Sequence, residues 1–160
     1  MSIKAGERMP AGKFKTPGPE GAKELTTDEL FRGKKVVLFP VPGAFTPTCD
    51  AKHLPGFVAL AEQLKAKGVD TLACLAVNDV FVMNAWGKAS GVAGKVVMLA
   101  DGNGDYTRAL GLELDGREFG LGMRGQRFAI IVKDGVAERV NVEAPREFKV
   151  SSAEHLLSQL

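Results

Sequence analysis

The strongest constraint on the fold is an alternation of buried strands and helices. Val36-Val37-Leu38-Phe39 is an unbroken apolar run with β-branched residues, the mark of a strand covered on both faces. Two further runs, Val69 to Val77 and Lys95 to Ala100, read the same way. Helical stretches lie between and after them. Thr46 as N-cap and Pro47 at the first helical position start one, which Pro55-Gly56 kinks or splits. Its second half runs from Phe57 to Lys67 and stops at Gly68, and helices are expected over Asp79 to Lys88 and Gly104 to Leu110. Arg127 to Val132 and Val136 to Val142 flank Asp134-Gly135, a hairpin signal, and Ser152 to Gln159 closes as a helix. The first 25 residues are rich in Gly, Pro and charge and suit loops or a short edge hairpin, followed by a capped turn from Thr26 to Phe31. The series predicts an α/β sandwich with a mixed central β-sheet, formed by residues 1–160 as a single domain.

Composition narrows the function. Twenty-one Lys and Arg against 19 Asp and Glu leave a net charge of +2, too little for the basic face that drives nucleic-acid binding. No window approaches the roughly 18 consecutive apolar residues of a membrane span, and the N-terminus carries no apolar signal-peptide core. A cytoplasmic protein acting away from membranes is expected. Ser158-Gln159-Leu160 loosely resembles a peroxisomal tripeptide and also fits a frayed helix end. Two cysteines, Cys49 and Cys74, are too few for a disulfide scaffold, so both are expected as thiols in a reducing compartment.

Cys49 falls in the first turn of the helix that follows the first buried strand. There the helix dipole and unpaired amides favour a negative sulfur, and a thiolate is expected. Thr46, three residues upstream, can bring its hydroxyl to the sulfur or to an incoming oxygen, and Pro42 can pack over the site and limit water access. The same residues also fit a plain capped helix with a small buried thiol.

Pro42-Gly43-Ala44-Phe45-Thr46-Pro47-Thr48-Cys49 resembles the peroxiredoxin motif Pro-x-x-x-Thr-x-x-Cys in the form of the type-II, or peroxiredoxin-5, subfamily. Lys52-His53-Leu54-Pro55-Gly56-Phe57, Val77 to Met83, Leu99 to Gly102 and Gly125 to Phe128 extend the likeness over nearly the whole chain. The resemblance implies an extended thioredoxin fold and reduction of hydrogen peroxide and alkyl hydroperoxides. It implies Cys49 as peroxidatic cysteine, Thr46 as peroxide-binding residue, Pro42 as the shield of the pocket and Arg127 as the active-site arginine. Cys49, His53, Cys74 and His155 show no metal-ligand pairing such as C-x-x-C, so no metal is expected, nor any cofactor.

The chemistry fits those roles. Reducing a hydroperoxide needs a thiolate, donors to the attacked oxygen and a cation for the charge that moves off sulfur. Arg127 opens an apolar strand and stays charged at any working pH; Arg124, nearby, is the second choice. The product on Cys49 is a sulfenic acid, to be re-reduced by glutathione with glutaredoxin or by thioredoxin. Cys74 sits mid-strand, about 10 Å below the mouth of the pocket, and is either an inert buried thiol or a resolving cysteine reached after rearrangement. His53, one helical turn from Cys49, suits packing or solvent better than a Cys-His hydrolase pair. Gly120 to Gly125 matches a dinucleotide fingerprint by letter but precedes a strand, which argues against nucleotide binding. The apolar helix from Asp79 is either buried under the N-terminal arm or a partner surface, and the resemblance implies a homodimer through it and the loop around Phe45. A redox sensor or holdase-like protein oxidised at Cys49 without turnover is the alternative to a peroxidase.

Overall fold

The computed structural model describes residues 2–160 except Thr48, and the side chains of Pro40, Val41 and Cys49 lie outside the description. Nine strands are described: β1 Lys13–Gly18, β2 Gly21–Thr26, β3 Lys35–Val41, β4 Thr71–Ala76, β5 Val97–Ala100, β6 Glu113–Asp115, β7 Met123–Gly125, β8 Phe128–Lys133 and β9 Val136–Val142. Five α-helices join them: α1 Thr27–Phe31, α2 Leu54–Ala66, α3 Val80–Ser90, α4 Asp105–Leu110 and α5 Ala153–Ser158. Seven strands form one sheet in the order β2-β1-β5-β4-β3-β8-β9. The central three, β5, β4 and β3, are parallel, and antiparallel neighbours flank them on both sides. The expected mixed sheet is therefore present, and the Gly- and Pro-rich N-terminal segment forms its edge hairpin, β1-β2.

Two-sided burial explains the unbroken apolar runs. Val37 and Phe39 of β3, with Leu72, Cys74 and Ala76 of β4, join the core that contains α2, α3 and α5 residues. Val36 and Leu38, with Ala73 and Leu75, point into a second core built from Phe14, Leu30, Tyr106 and Leu110. Side chains alternate across a strand, so a strand between two cores needs apolar residues at every position. Among the described residues no helix is long and apolar enough to cross a membrane.

The helix after β3 departs from the expected course. Instead of an α-helix split at Pro55-Gly56, the chain forms a π-helical turn over Cys49–His53 and then α2, with Pro55 in its first turn. Pro55 cannot donate to a carbonyl in the preceding turn, and the irregularity falls upstream of it, on the π-helical turn that begins at Cys49 and runs directly into α2. A segment that the sequence leaves unassigned, 113–125, forms the two-stranded sheet β6-β7 around a 3-10 turn, Arg117–Phe119. Its three-residue strands are too short to show a period. Gly120 and Gly122 adopt left-handed φ values of 72° and 71° in this connection, so the fingerprint-like glycines serve a turn.

Candidate active site

The loop between β3 and the π-helical turn is fixed from three directions. Thr46 Oγ1 donates to Gly43 O at 2.6 Å, and Asp50 N donates to Thr46 O at 2.9 Å. Asn78, after β4, accepts from Ala44 N at 2.9 Å. Arg124, on β7, donates through Nη1 to Pro42 O at 3.4 Å and through Nε to Leu121 O at 2.8 Å. A Cβ at Gly43 would sit 2.6 Å from Arg124 Nη1, so a side chain there would push the guanidinium aside. Between these anchors Phe45 holds φ at 60°, a left-handed conformation that costs a non-glycine residue about 1 kcal/mol or more. The sequence expected Thr46 to cap a helix amide. Its hydroxyl proton goes back to Gly43 O instead, which leaves the oxygen an acceptor.

The π-helical turn is tied to α3 and to the sheet. Trp86, fully buried on α3, donates Nε1–H to Asp50 Oδ1 at 2.9 Å. His53, at the end of the turn, is fully buried among Phe39, Phe57 and Phe148, with ring centroids 5.3, 5.6 and 5.0 Å away. It is neither solvent-facing nor merely packed: Arg127 Nη1 lies 3.0 Å from Nδ1, and Ser151 O lies 2.9 Å from Nε2. A guanidinium can only donate and a carbonyl can only accept, so Nε2 carries the proton and Nδ1 the lone pair. Burial pushes the imidazole pKa down to about 3, and the Arg127 charge acts in the same direction. The ring is neutral at working pH.

Arg127 stands one residue before β8, with its guanidinium carbon 5.9 Å from the centroid of Phe148. Pro42 and Arg127 share a cleft of about 470 Å³ with Gln126, Glu143, Glu147 and Phe148. Glu143, itself buried, accepts from Ser151 Oγ at 2.6 Å, from Ser151 N at 2.8 Å and from Lys149 N at 2.8 and 2.9 Å. Burial opposes its charge, yet these hydrogen bonds outweigh that and hold the carboxyl below the usual range. The structure thus ties Thr46 and Arg124 to the loop that carries Pro42, and sets Pro42 and Arg127 in one cleft. Of Cys49 itself only the backbone is described, and the expectation for its thiol lies outside the described residues.

Cys74 is fully buried, paired with Phe39 on one side and Met98 on the other, with Leu75 and Ala76 between it and the end of β4. Val80, Met83 and Trp86 of α3 are buried, whereas Phe81 is 78% exposed and Phe45 51% exposed. Among the described residues no group of three or more His, Cys, Asp or Glu side chains could hold a metal ion. Sequence reasoning missed three contributors: His53 as a partner of Arg127, Ser151 and Glu143. Glu143 lines the cleft, whereas His53 and Ser151 are buried behind Arg127.

The buried neutral histidine has a measurable consequence. Unfolded, His53 binds a proton below about pH 6.5, whereas folded it stays neutral down to about 3. The unfolded state therefore gains protons first, and stability falls as pH drops through this window. At 1.36 kcal/mol per pH unit, lowering the pH from 7 to 5 should remove about 2 kcal/mol. Urea midpoints at the two pH values test this, and an equal loss in a His53→Asn variant would assign it to other groups.

The redoxin family model matches residues 4–157. Peroxiredoxin-2E, chloroplastic, of Arabidopsis thaliana is 47% identical over 163 residues, covering 99% of this chain and 70% of that protein. The crystal structure of reduced Prx3 in complex with H2O2 from Vibrio vulnificus superposes with a TM-score of 0.94 at 52% identity, covering 98% of each chain. Peroxiredoxin 5 from Alvinella pompejana gives 0.86 at 37% identity, covering 98% of this chain and 96% of that one. With the mixed sheet and flanking helices of the thioredoxin-like fold, and the match of family and relatives over nearly its full length, the chain belongs to the type-II, peroxiredoxin-5-like branch of the peroxiredoxins, which are thiol peroxidases.

Proposed function

We propose that Cys49, as a thiolate, attacks the terminal oxygen of hydrogen peroxide or an alkyl hydroperoxide. The S–O bond forms as the O–O bond breaks; sulfur is oxidised by two electrons to sulfenic acid, and the other oxygen leaves as water or alcohol after taking a proton. Thr46 accepts the peroxide O–H, because its own proton is committed to Gly43 O. Arg127 donates to the oxygens and holds the charge that moves from sulfur to the leaving group. Pro42 walls the cleft against water. The observation that carries this reading is the Arg127–His53 bond, which sets the guanidinium beside the turn that begins at Cys49.

Re-reduction proceeds with an external thiol, from glutathione with glutaredoxin or from thioredoxin. The first thiol forms a mixed disulfide with Cys49 and releases water; a second restores the cysteine. The burial of Cys74 in the sheet supports an external resolver, because a disulfide needs Cα atoms within about 7 Å and an accessible thiol. The protein works in a reducing compartment, read as cytoplasmic, although the Arabidopsis relative is named chloroplastic. It acts as a homodimer through the surface that carries Phe45 and Phe81, both exposed.

The test is a coupled assay of peroxide consumption with each reductant, on the wild type and on Cys74→Ala. Catalytic turnover is expected in both, with the variant less stable by about 1 kcal/mol through the lost buried sulfur. A variant inactive with every external thiol would make Cys74 the resolving cysteine. Oxidation of Cys49 once per chain with no turnover would identify a sensor instead of an enzyme.

A further inference from the structure

The loop that follows β9 forms one side of the cleft that holds Pro42 and Arg127. Glu143 N donates to Arg127 O at 3.0 Å, so the loop leaves the sheet beside that arginine, and the Glu143 carboxylate ties its far end by accepting from Lys149 N and Ser151 N. Between these points Glu147 N donates to Ala144 O at 2.9 Å, closing a turn with Pro145 second and Arg146 third. Arg146 holds φ at 67°. A proline followed by a positive φ is the pattern of a type II turn, whose third position glycine fills freely and an arginine only at a cost in free energy. The chain nevertheless carries an arginine there, on the wall of the cleft.

The charge of Arg146 is not consumed within the fold. Among the described residues it makes no ion pair and no side-chain hydrogen bond. The carboxylates that line the same cleft are engaged: Asp115 by Arg117 at 2.7 Å, Glu147 by Lys149 at 3.6 Å, Glu113 by Arg108 at 3.9 Å, and Glu143 by the amides above. Leu114, Pro145 and Phe148 add apolar surface. A concave apolar wall with a few charged groups is what a small organic ligand requires.

We propose that Arg146 is a specificity-determining residue that takes the carboxylate of an organic hydroperoxide, so that hydroperoxides of carboxylic acids, such as those of fatty acids, are preferred over uncharged ones. The carboxylate is unchanged in the reaction; it accepts from the guanidinium fork while the chain covers the apolar wall. Three residues separate Arg146 from Glu143, whose amide is bonded to Arg127, so the Cα atoms of Arg146 and Glu143 are at most about 10 Å apart. Both arginines are within reach of one fatty-acid-sized molecule. The proposal rests on the reading that the peroxide lies at Arg127 and Cys49.

The probes are linoleic acid hydroperoxide and its methyl ester, below their micelle concentrations, with cumene hydroperoxide as a compact uncharged substrate. The rate constant for Cys49 oxidation is measured by stopped flow with no thiol present, so the carboxylates of a reductant play no part. The emission of Trp86, the single tryptophan, which donates to Asp50 beside Cys49, is the signal. Arg146→Gly keeps the turn, since glycine takes the same φ freely. In this variant the acid-to-ester rate ratio should fall by about fivefold, the upper range for an ion pair at an exposed site. Arg146→Lys, which keeps the charge, should retain most of the ratio. Raising the salt from about 0.01 to about 1 M should shrink the ratio in the wild type and leave it unmoved in Arg146→Gly. An unchanged ratio in Arg146→Gly, a lysine variant no better than the glycine one, or a wild-type ratio insensitive to salt would overturn the role of Arg146. Arg127→Ala should slow all three probes; wild-type rates there would instead overturn the placement of the peroxide in this cleft.

Discussion

Cys49→Ser should lose peroxide consumption with every thiol reductant, by on the order of 10⁴-fold or more, as when an enzyme loses its nucleophile. The size of the effect follows from the reaction. Transfer of oxygen from a hydroperoxide needs an atom that can be oxidised by two electrons and reduced again, and a serine oxygen can be neither. Neighbouring groups cannot take over: a threonine hydroxyl and a guanidinium accept no oxygen. Stopped-flow consumption assays with glutathione plus glutaredoxin, and separately with thioredoxin, read the loss. Activity of Cys49→Ser equal to the wild type would move the chemistry to Cys74, which is buried between Phe39 and Met98, and would require the sheet to open.

What the sequence showed and what it concealed divide along the range of the interactions. β3, β4 and β8 are legible because a strand between two cores must be apolar at each position, a purely local signature. The hairpin β8-β9 is legible from Asp134-Gly135, whose φ values of 46° and 80° are what the tight turn needs. The loop from Pro42 to Cys49 is legible because its residues are contiguous. The π-helical turn is not: Pro55 announces a disturbance, but whether it falls on the proline or upstream depends on how Asp50 and His53 are held by Trp86, Arg127 and Ser151. Nor does local spacing reveal His53 as a partner of Arg127. The two are 74 residues apart, and Ser151 is 98 residues from His53, so only the folded sheet brings them together. Thr46 shows a third kind of limit. Its place before a proline suits a cap, but the hydroxyl's actual target is Gly43 O, across a turn in which Phe45 takes a left-handed φ that its residue type does not announce.

Arg127→Ala should slow Cys49 oxidation by roughly 10²–10³-fold, the loss seen when a preorganised donor to developing negative charge is removed. Two effects must be kept apart. The first is chemical and follows from the role proposed for Arg127: its guanidinium would no longer face the charge that passes from sulfur to the leaving oxygen. The second is structural: His53 Nδ1, buried among three phenylalanines, keeps its lone pair but loses its donor, at a cost of about 1–3 kcal/mol in stability. The structural loss is read from urea midpoints and the chemical one from the rate constant for oxidation in a fully folded sample. Arg127→Lys distinguishes charge from geometry. An ammonium restores the cation, yet it lacks the planar fork with which one guanidinium nitrogen bonds His53 and others stay available to a bound peroxide under the proposed reading. It should therefore recover part of the rate and remain well below the wild type. Full recovery by lysine would mean that charge alone suffices, and the hydrogen bond to His53 would then have no part in the reaction.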